Sequence, residues 1–97
     1  MPTFRWLPRF GAEFDHLTPT RQAAFLAAIV LFVEDLRAGR KFRKGLRVKG
    51  VKGAPGIFEM TLAPDGRATF RYGEPVREGE SHIVWRRIGT HEIFKQP

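Results

Sequence analysis

The 97-residue sequence is 42% hydrophobic and 12% aromatic, which is typical of a folded domain and excludes a largely disordered chain. Its 17 Lys and Arg residues against 10 Asp and Glu residues give a net charge of +7, which indicates a polyanionic partner such as nucleic acid or an acidic protein segment. The absence of cysteine excludes a disulfide scaffold, a Cys-ligated zinc site and a thiol nucleophile, and it favours a cytoplasmic protein. We expect residues 1–97 to form a single domain.

The N-terminal segment predicts a short strand followed by a helical turn. Thr3–Leu7 is rich in aromatic and branched residues and precedes a proline, as edge strands often do. Phe14 and Leu17, within residues 11–17, have the i, i+3 spacing of a helix. The first ten residues lack the apolar stretch of a secretory signal, so we interpret them as part of the mature protein.

The next segment predicts a long helix that ends near Ala38. Thr18 is a favoured N-cap, Pro19 is a favoured first helical residue, and Gly39 suits the left-handed position that ends a helix. The apolar run Ala23–Val33 is shorter than the roughly 20 residues that a membrane span needs, so we expect a core helix and no membrane contact. The side chains expected to face the core are Phe25, Ala28, Ile29, Phe32 and Leu36, and Leu26 and Val33 are expected to widen this stripe.

Charged residues close this helix and continue beyond it. Asp35 and its charged neighbours are expected to face solvent. Eight basic residues and no acidic one follow: Arg37, Arg40, Lys41, Arg43, Lys44, Arg47, Lys49 and Lys52. Such a run is either a solvated loop or an anion-binding surface, and we favour anion binding because the run leads into the predicted sheet. Leu46 and Val48 alternate with basic residues and predict a short strand, whereas the glycines that follow match neither a phosphate-binding loop nor a dinucleotide fingerprint.

Residues 56–72 carry the signature of a β-hairpin. Alternating segments flank the turn sequence Pro64-Asp65-Gly66. One face of the hairpin is apolar: Phe58, Met60, Leu62, Ala68, Phe70 and Tyr72. The other face is polar: Glu59, Thr61, Arg67, Thr69 and Arg71. We expect the apolar face to pack on the long helix, with Phe70 against Phe32, and the polar face to contact water or a ligand.

The last segment predicts a buried strand with polar residues just beyond it. Its apolar side chains are Ile83, Val84, Trp85 and Ile88. A strict alternation through Ile88 also buries Arg86, which leaves open whether Arg86 or Arg87 faces the polar side. Gly89 ends the strand, and His91 lies just past it, where polar side chains often have functional roles.

The order of a strand, a short helix, a long helix and three further strands resembles the RelE/ParE superfamily of toxins from bacterial toxin–antitoxin pairs. The most specific pieces are LRVKGVKGAPGIFEMTL, DGRATFRYG and RRIGTHEIF, and the resemblance covers nearly the whole chain. It implies a small α+β domain of order β-α-α-β-β-β, in which helices pack on one side of a twisted antiparallel sheet. RelE-like members are mRNA interferases, ribosome-dependent endoribonucleases that cut mRNA in the decoding site. ParE-like members act on DNA gyrase, and an antitoxin silences both types.

The resemblance also implies roles for single residues. The family's basic residues before and on the first hairpin strand fall near Lys49 and Lys52. The arginine that opens the second hairpin strand matches Arg67, and the basic or imidazole side chain past the last strand matches His91. These residues are therefore expected to bind the phosphate backbone and to transfer a proton.

Two departures from the family bear on activity. Strand positions that are lysines in some active members are Glu59 and Thr61 here. The aromatic residue near the C-terminus, often Tyr in RelE-like enzymes, is Phe94, which has no hydroxyl group. Glu59 can be a general base or can form a salt bridge with Arg67 or Arg71 across the hairpin.

The chemistry of RNA cleavage leads to the same candidates. RNA supplies the 2′-hydroxyl nucleophile, so a metal-free nuclease needs a base, an acid and charge stabilisation. The catalytic candidates are His91, Arg67 and Glu59. The nucleic-acid-binding candidates are Arg43, Lys44, Arg47, Lys49, Lys52, Arg71 and Arg87. His16, His82 and His91 lack metal-ligand spacing, and Trp6 and Trp85 fit a core better than a base-stacking role, so neither a metal nor a small-molecule cofactor is expected.

Two functions stay open on the sequence. One is a ribosome-dependent endoribonuclease whose partners are the ribosome, mRNA and a cognate antitoxin protein. The other is a non-catalytic inhibitor, either of the gyrase type or a module that binds nucleic acid or a protein. The histidine beyond the last strand and the basic run favour the first, and the two departures favour the second.

Overall fold

The computed structural model describes residues 2–97, which form one mixed β-sheet with two α-helices packed against it. The strands are β1 (Thr3–Trp6), β2 (Lys49–Gly50), β3 (Phe58–Ala63), β4 (Gly66–Tyr72) and β5 (His82–Gly89). The helices are α1 (Pro8–Asp15) and α2 (Pro19–Ala38), and short 3₁₀ helices span Lys44–Leu46 and His91–Lys95. The strand order is β1-β5-β4-β3-β2, and every neighbouring pair is antiparallel except β1 and β5. This confirms the expected α+β fold, with one parallel pair made possible by the long connection between β1 and β5.

Both ends of α2 are capped as the sequence predicts. The Thr18 hydroxyl accepts a hydrogen bond from the Arg21 amide at 3.2 Å, and Pro19 lies in the first turn, where its missing N–H leaves no bond unmet. Gly39 ends the helix with a φ of 69°, which glycine adopts without strain. Helix α1 begins at Pro8, earlier than the spacing in residues 11–17 predicts, because proline also suits its first position. Neither helix, nor any other within residues 2–97, has the length and apolar character required to span a membrane.

The core lies between α2 and the centre of the sheet. Phe32 of α2, Phe70 of β4 and Trp85 of β5 are each 2% exposed or less. The ring of Phe32 lies 5.1 Å from that of Phe70 and 5.2 Å from that of Trp85, measured between centroids. Ring pairs of this kind add about 0.5–1.5 kcal/mol to the stabilisation from apolar burial. The predicted contact between Phe32 and Phe70 is confirmed, and Trp85 belongs to the core.

A bulge in β5 explains why strict alternation cannot predict which face of the sheet Arg86 and Arg87 occupy. Arg87 pairs with Thr69 of β4, but Trp85 pairs with the very next residue of β4, so Arg86 is an extra residue in β5. The extra residue switches the parity of the strand. Trp85 therefore faces the core before the bulge and Ile88 faces it after the bulge.

The end of α2 departs from the sequence-based expectation. Asp35 is 1% exposed, so the expectation that it faces solvent is wrong. Its carboxylate accepts hydrogen bonds from the Arg43 backbone N–H at 2.8 Å and from Nε and Nη2 of the same arginine at 2.9 Å. Arg40 donates a further bond at 3.0 Å. A buried carboxylate is tolerated when it is paired in this way, and the pairing ties the segment after α2 back onto the helix.

The basic segment begins as a turn where the sequence predicts a strand. Residues 44–46 form a 3₁₀ helix, and β2 contains only Lys49 and Gly50. Leu46 is buried in the core and Val48 packs against it, so their alternation reflects the packing of a turn. Arg47 closes the turn with a φ of 50°, in the left-handed region that few residues other than glycine adopt.

Candidate active site

Polar side chains lie in rows across the sheet face opposite the helices. In one row, the successive partners on β2, β3, β4 and β5 are Lys49, Glu59, Thr69 and Arg87. In the next row, Arg67 of β4 pairs with Thr61 of β3 on one side and with Gly89 of β5 on the other. Directly opposed residues on neighbouring antiparallel strands have Cβ atoms about 4.5–5.5 Å apart. The sheet thus brings together, on one face, candidate residues that are distant in the sequence.

Glu59 occupies the centre of this polar face. It is 8% exposed, and no group within residues 2–97 forms a hydrogen bond or ion pair with its carboxylate. The alternative salt bridge to Arg67 or Arg71 is therefore not formed within the described chain. A carboxylate with free lone pairs, flanked by Lys49 and Thr69, can accept a proton from a bound hydroxyl.

Arg67 holds the hairpin turn with one of its nitrogens. Its Nη1 donates to the backbone carbonyl of Ala63 at 3.1 Å and to that of Gly66 at 2.9 Å. These bonds fix the turn that carries Asp65 at its tip. Within the described residues Nε and Nη2 have no hydrogen-bond partner, so two donor nitrogens remain for a phosphate.

His91 lies past the end of β5, beside the tip of the hairpin. Thr90 caps the 3₁₀ helix by accepting a hydrogen bond from the Glu92 amide at 3.3 Å, which fixes the backbone at His91. Nδ1 of the ring is 2.9 Å from Oδ1 of Asp65, and the hydrogen bond from His91 lowers the pKa of Asp65. Nε2 is 3.7 Å from the Glu92 carboxylate, which pairs with Lys95 at 2.8 Å. The side chain is 66% exposed, so the imidazole is accessible to a ligand.

Arg87 and Arg86 both bind the C-terminal residues. Nη2 of Arg87 forms an ion pair with Glu13 of α1 at 2.6 Å, and its Nη1 donates to the Gln96 carbonyl at 3.1 Å. Nε of Arg86 donates to the Pro97 carbonyl at 3.1 Å. Arg87, a nucleic-acid-binding candidate, thus links α1 and the C-terminal residues to β5 and is only 14% exposed. The role of Glu13 has no signal in the sequence, because its partner lies 74 positions later.

The basic segment divides into cations held by the fold and cations that are free. The guanidinium of Arg43 is bound by Asp35 and Glu34, and the hydrogen bond to Asp35 raises its pKa well above the ordinary value. Arg71 on β4 is partly buried and donates to its neighbour's carbonyl at 3.5 Å. The exposed candidates without an ion pair in the described chain are Lys44, Arg47, Lys49 and Lys52. Lys49 connects this group to the polar face of the sheet.

A second exposed surface is apolar and lies on the helix side of the sheet. Phe4, Trp6, Leu26 and Val30 are each more than half exposed, so the expectation that Trp6 and Leu26 lie in the core is wrong. They line a groove of about 430 Å³ between β1 and α2. Exposed apolar patches in soluble proteins commonly mark interaction sites. Trp6 pairs with Trp85 on this side, so it lies away from the polar face.

The other two histidines have structural contacts. Nδ1 of His82 hydrogen-bonds to the Thr3 hydroxyl at 2.8 Å, and the ring is largely buried. Nδ1 of His16 donates to the Ala12 carbonyl at 2.8 Å. Over residues 2–97, no three His, Asp or Glu side chains are grouped to hold a metal ion.

Comparison with known proteins identifies the fold. No protein-family model matches the sequence, and no curated protein matches it. A YoeB/ParE toxin from Agrobacterium tumefaciens superposes with a TM-score of 0.67 at 11% identity, over 92% of this chain and 98% of that one. The RelB-RelE antitoxin-toxin complex from Methanococcus jannaschii gives a TM-score of 0.60 at 13% identity, over 94% of both chains. The E. coli DinJ-YafQ complex gives a TM-score of 0.60 at 9% identity, over 95% of this chain and 96% of that one. The chain has the fold of RelE-like toxins.

Proposed function

We propose that this protein is the toxin of a toxin–antitoxin pair and a ribosome-dependent endoribonuclease that cuts mRNA in the cytoplasm. The proposal is carried by the polar sheet face, which combines an unpaired carboxylate at Glu59, free guanidinium donors at Arg67 and an accessible imidazole at His91. The net charge of +7 suits an RNA substrate, because phosphate contacts dominate affinity for nucleic acids. The toxin folds of the structural relatives support the same class of function.

The three side chains suffice for cleavage by the 2′-hydroxyl of RNA. Glu59 takes the proton of the 2′-hydroxyl, whose oxygen attacks the adjacent phosphorus. The bond from phosphorus to the 5′-oxygen breaks, and His91 gives its proton to that leaving oxygen. Arg67 stabilises the charge on the phosphorane as it develops. The products are a 2′,3′-cyclic phosphate and a 5′-hydroxyl, so no external reactant is required.

Primer extension on cellular mRNA tests this function. Induction of the wild-type chain is expected to produce cuts within translated codons, and induction of His91→Ala is expected to produce none. A reporter mRNA without a start codon is the control, because a ribosome-dependent enzyme leaves an untranslated message intact. Growth arrest without cut mRNA in either strain contradicts the proposal.

A non-catalytic inhibitor is the second candidate, and two observations favour it. Arg67 uses one nitrogen to hold the hairpin turn, and Phe94 is a partly buried ring without a hydroxyl group. Purified DNA gyrase provides the discriminating assay. If the protein is an inhibitor of the gyrase type, the wild type and His91→Ala should block supercoiling equally well. If it is an endoribonuclease, neither should affect supercoiling.

An antitoxin with both an acidic segment and an amphipathic helix fits the two exposed surfaces of the molecule, one basic and one apolar. The solved structures of related fold include the RelB-RelE and DinJ-YafQ complexes. Here, the exposed cations of the basic segment match an acidic partner segment, and the groove beside Trp6 matches the apolar side of an amphipathic helix. A short reading frame beside the gene, with a DNA-binding half and an acidic or amphipathic half, is the expected companion.

A further inference from the structure

The carboxylate at the tip of the hairpin is placed to orient the imidazole of His91. We infer that Asp65 is a positioning residue, which accepts the Nδ1–H hydrogen bond of His91 and thereby presents Nε2 to the RNA. The catalytic consequence rests on the proposed endoribonuclease activity. The placement of the proton on the ring can be measured without it.

The fold brings the two residues together through fixed elements on both sides. Arg67 bonds to the carbonyls of Ala63 and Gly66 and so fixes the turn that carries Asp65. Arg67 is also the cross-strand partner of Gly89, which places the end of β5 beside the turn. Asp65 and His91 are 26 positions apart in the sequence, yet Oδ1 and Nδ1 lie at 2.9 Å.

The chemistry of the pair fixes the tautomer of the neutral ring. An ionised carboxylate only accepts hydrogen bonds, so Nδ1 must carry the hydrogen and Nε2 the lone pair. When the ring is protonated, Nε2–H is then the donor that points away from Asp65. This is the arrangement that a general acid needs, because the proton to be given must face the leaving oxygen.

The other charged groups around the ring do not provide this hydrogen bond. Glu92, on the same 3₁₀ helix, is 3.7 Å from Nε2 and is paired with Lys95. Arg67 on β4 acts electrostatically on Asp65. Within residues 2–97, Asp65 is thus the only side chain in hydrogen-bond range of the His91 ring.

A role in stability does not account for the pair. Asp65 is 52% exposed and His91 is 66% exposed, and exposed ion pairs contribute only about 0–1 kcal/mol. Removal of Asp65 is therefore expected to leave the fold intact. The matched control is Glu92→Gln, which removes a carboxylate near the other ring nitrogen without removing a hydrogen bond to the ring.

Long-range proton–nitrogen correlation spectra of the ¹⁵N-labelled protein test the placement of the proton. At a pH where the ring is neutral, we expect the Nδ1–H tautomer of His91 in the wild type and in Glu92→Gln. In Asp65→Ala we expect a shift towards Nε2–H. An Nε2–H tautomer in the wild type, or spectra unchanged in Asp65→Ala, overturns the inference whether or not the protein cuts RNA.

Single-turnover cleavage of a defined mRNA on programmed ribosomes tests the consequence. Asp65→Ala is expected to lower the cleavage rate about 10²-fold, the usual effect of misplacing a catalytic group, with unchanged ribosome affinity. Glu92→Gln is expected to cut near the wild-type rate. Equal rates for wild type and Asp65→Ala overturn the inference. If the wild type itself does not cut, the endoribonuclease proposal fails, and the spectra alone decide the role of Asp65 in holding the ring.

Discussion

The two faces of the sheet differ in how their side chains are held. On the helix side, Phe32 and Phe70 are almost completely buried and their ring centroids lie 5.1 Å apart. On the polar side, Glu59 has no partner within the described chain, and His91 is held by one short contact. The difference teaches that the aromatic core lies on one face of the sheet, whereas the other face presents side chains that can bind and react.

Two carboxylates repeat this contrast on a smaller scale. Asp35 is buried and accepts four hydrogen bonds from Arg43 and Arg40, which remain protonated at all ordinary pH values. Asp65 is half exposed and bonds to an imidazole, a group that commonly acts as a general acid or base. The first pair anchors a loop, and the second holds a group that can exchange a proton.

The largest expected effect on stability comes from the core face. Phe32→Ala should lower the free energy of unfolding by about 3–5 kcal/mol, because it leaves a cavity between α2 and the sheet. Thr61→Ala on the polar face is the control and should change it by less than about 0.5 kcal/mol. Urea denaturation measures both. A similar loss of unfolding free energy in the two variants would mean that the polar face also stabilises the fold.

A pH-dependent effect should separate the two carboxylates. Hydrogen bonds from Arg43 lower the pKa of Asp35 below that of an Asp in the unfolded chain, which is about 3.9. Ionised Asp35 therefore stabilises the fold above about pH 3.9, and this contribution is lost as the pH falls below that value. The urea midpoint of the wild type should therefore fall between about pH 4 and pH 2. The urea midpoint of Asp35→Asn should start lower and fall less than that of the wild type. Asp65→Asn should differ from the wild type in the same direction but much less, because the carboxylate of Asp65 is half exposed. Parallel curves for the wild type and Asp35→Asn would contradict the role of this carboxylate.

The smallest expected effect is on the salt dependence of RNA binding. Lys44 is proposed to contact phosphate, so Lys44→Ala should reduce the slope of log affinity against log salt by about 1. Arg9→Ala on α1 is the control, because Arg9 is also exposed but lies outside the basic segment. Titrations of labelled RNA at several salt concentrations give both slopes. The same reduction in both variants would show that only net charge matters.

Local signals in the sequence predict most of the fold. The caps at Thr18 and Gly39 depend on single residue types, and the hairpin depends on alternation around a turn, so both can be recognised without tertiary information. The burial of Asp35 cannot be recognised in this way, because the charge pattern of α2 is the same whether Arg43 folds back or not. The bulge at Arg86 is also hidden, because one extra residue leaves the apolar content of β5 unchanged.

The positions of the candidate site residues in the fold were predictable to a similar extent. Strand parity places Glu59 and Arg67 on one face, and the position of His91 after the last strand places it near their edge. The part played by Asp65 depends on how two turns from different strands meet. Single-sequence patterns contain no information on that distance, so the hydrogen bond to His91 is found only in the structure.

Cleavage by wild type and His91→Ala on programmed ribosomes tests the division between a stabilising face and a reactive face most directly. The variant should cut the same mRNA about 10²- to 10⁴-fold more slowly in a single turnover, with an unchanged urea midpoint and unchanged ribosome affinity. A variant that cuts at the wild-type rate, or one whose slower cleavage is accompanied by a matching loss of stability, would contradict the assignment of His91 to the chemistry.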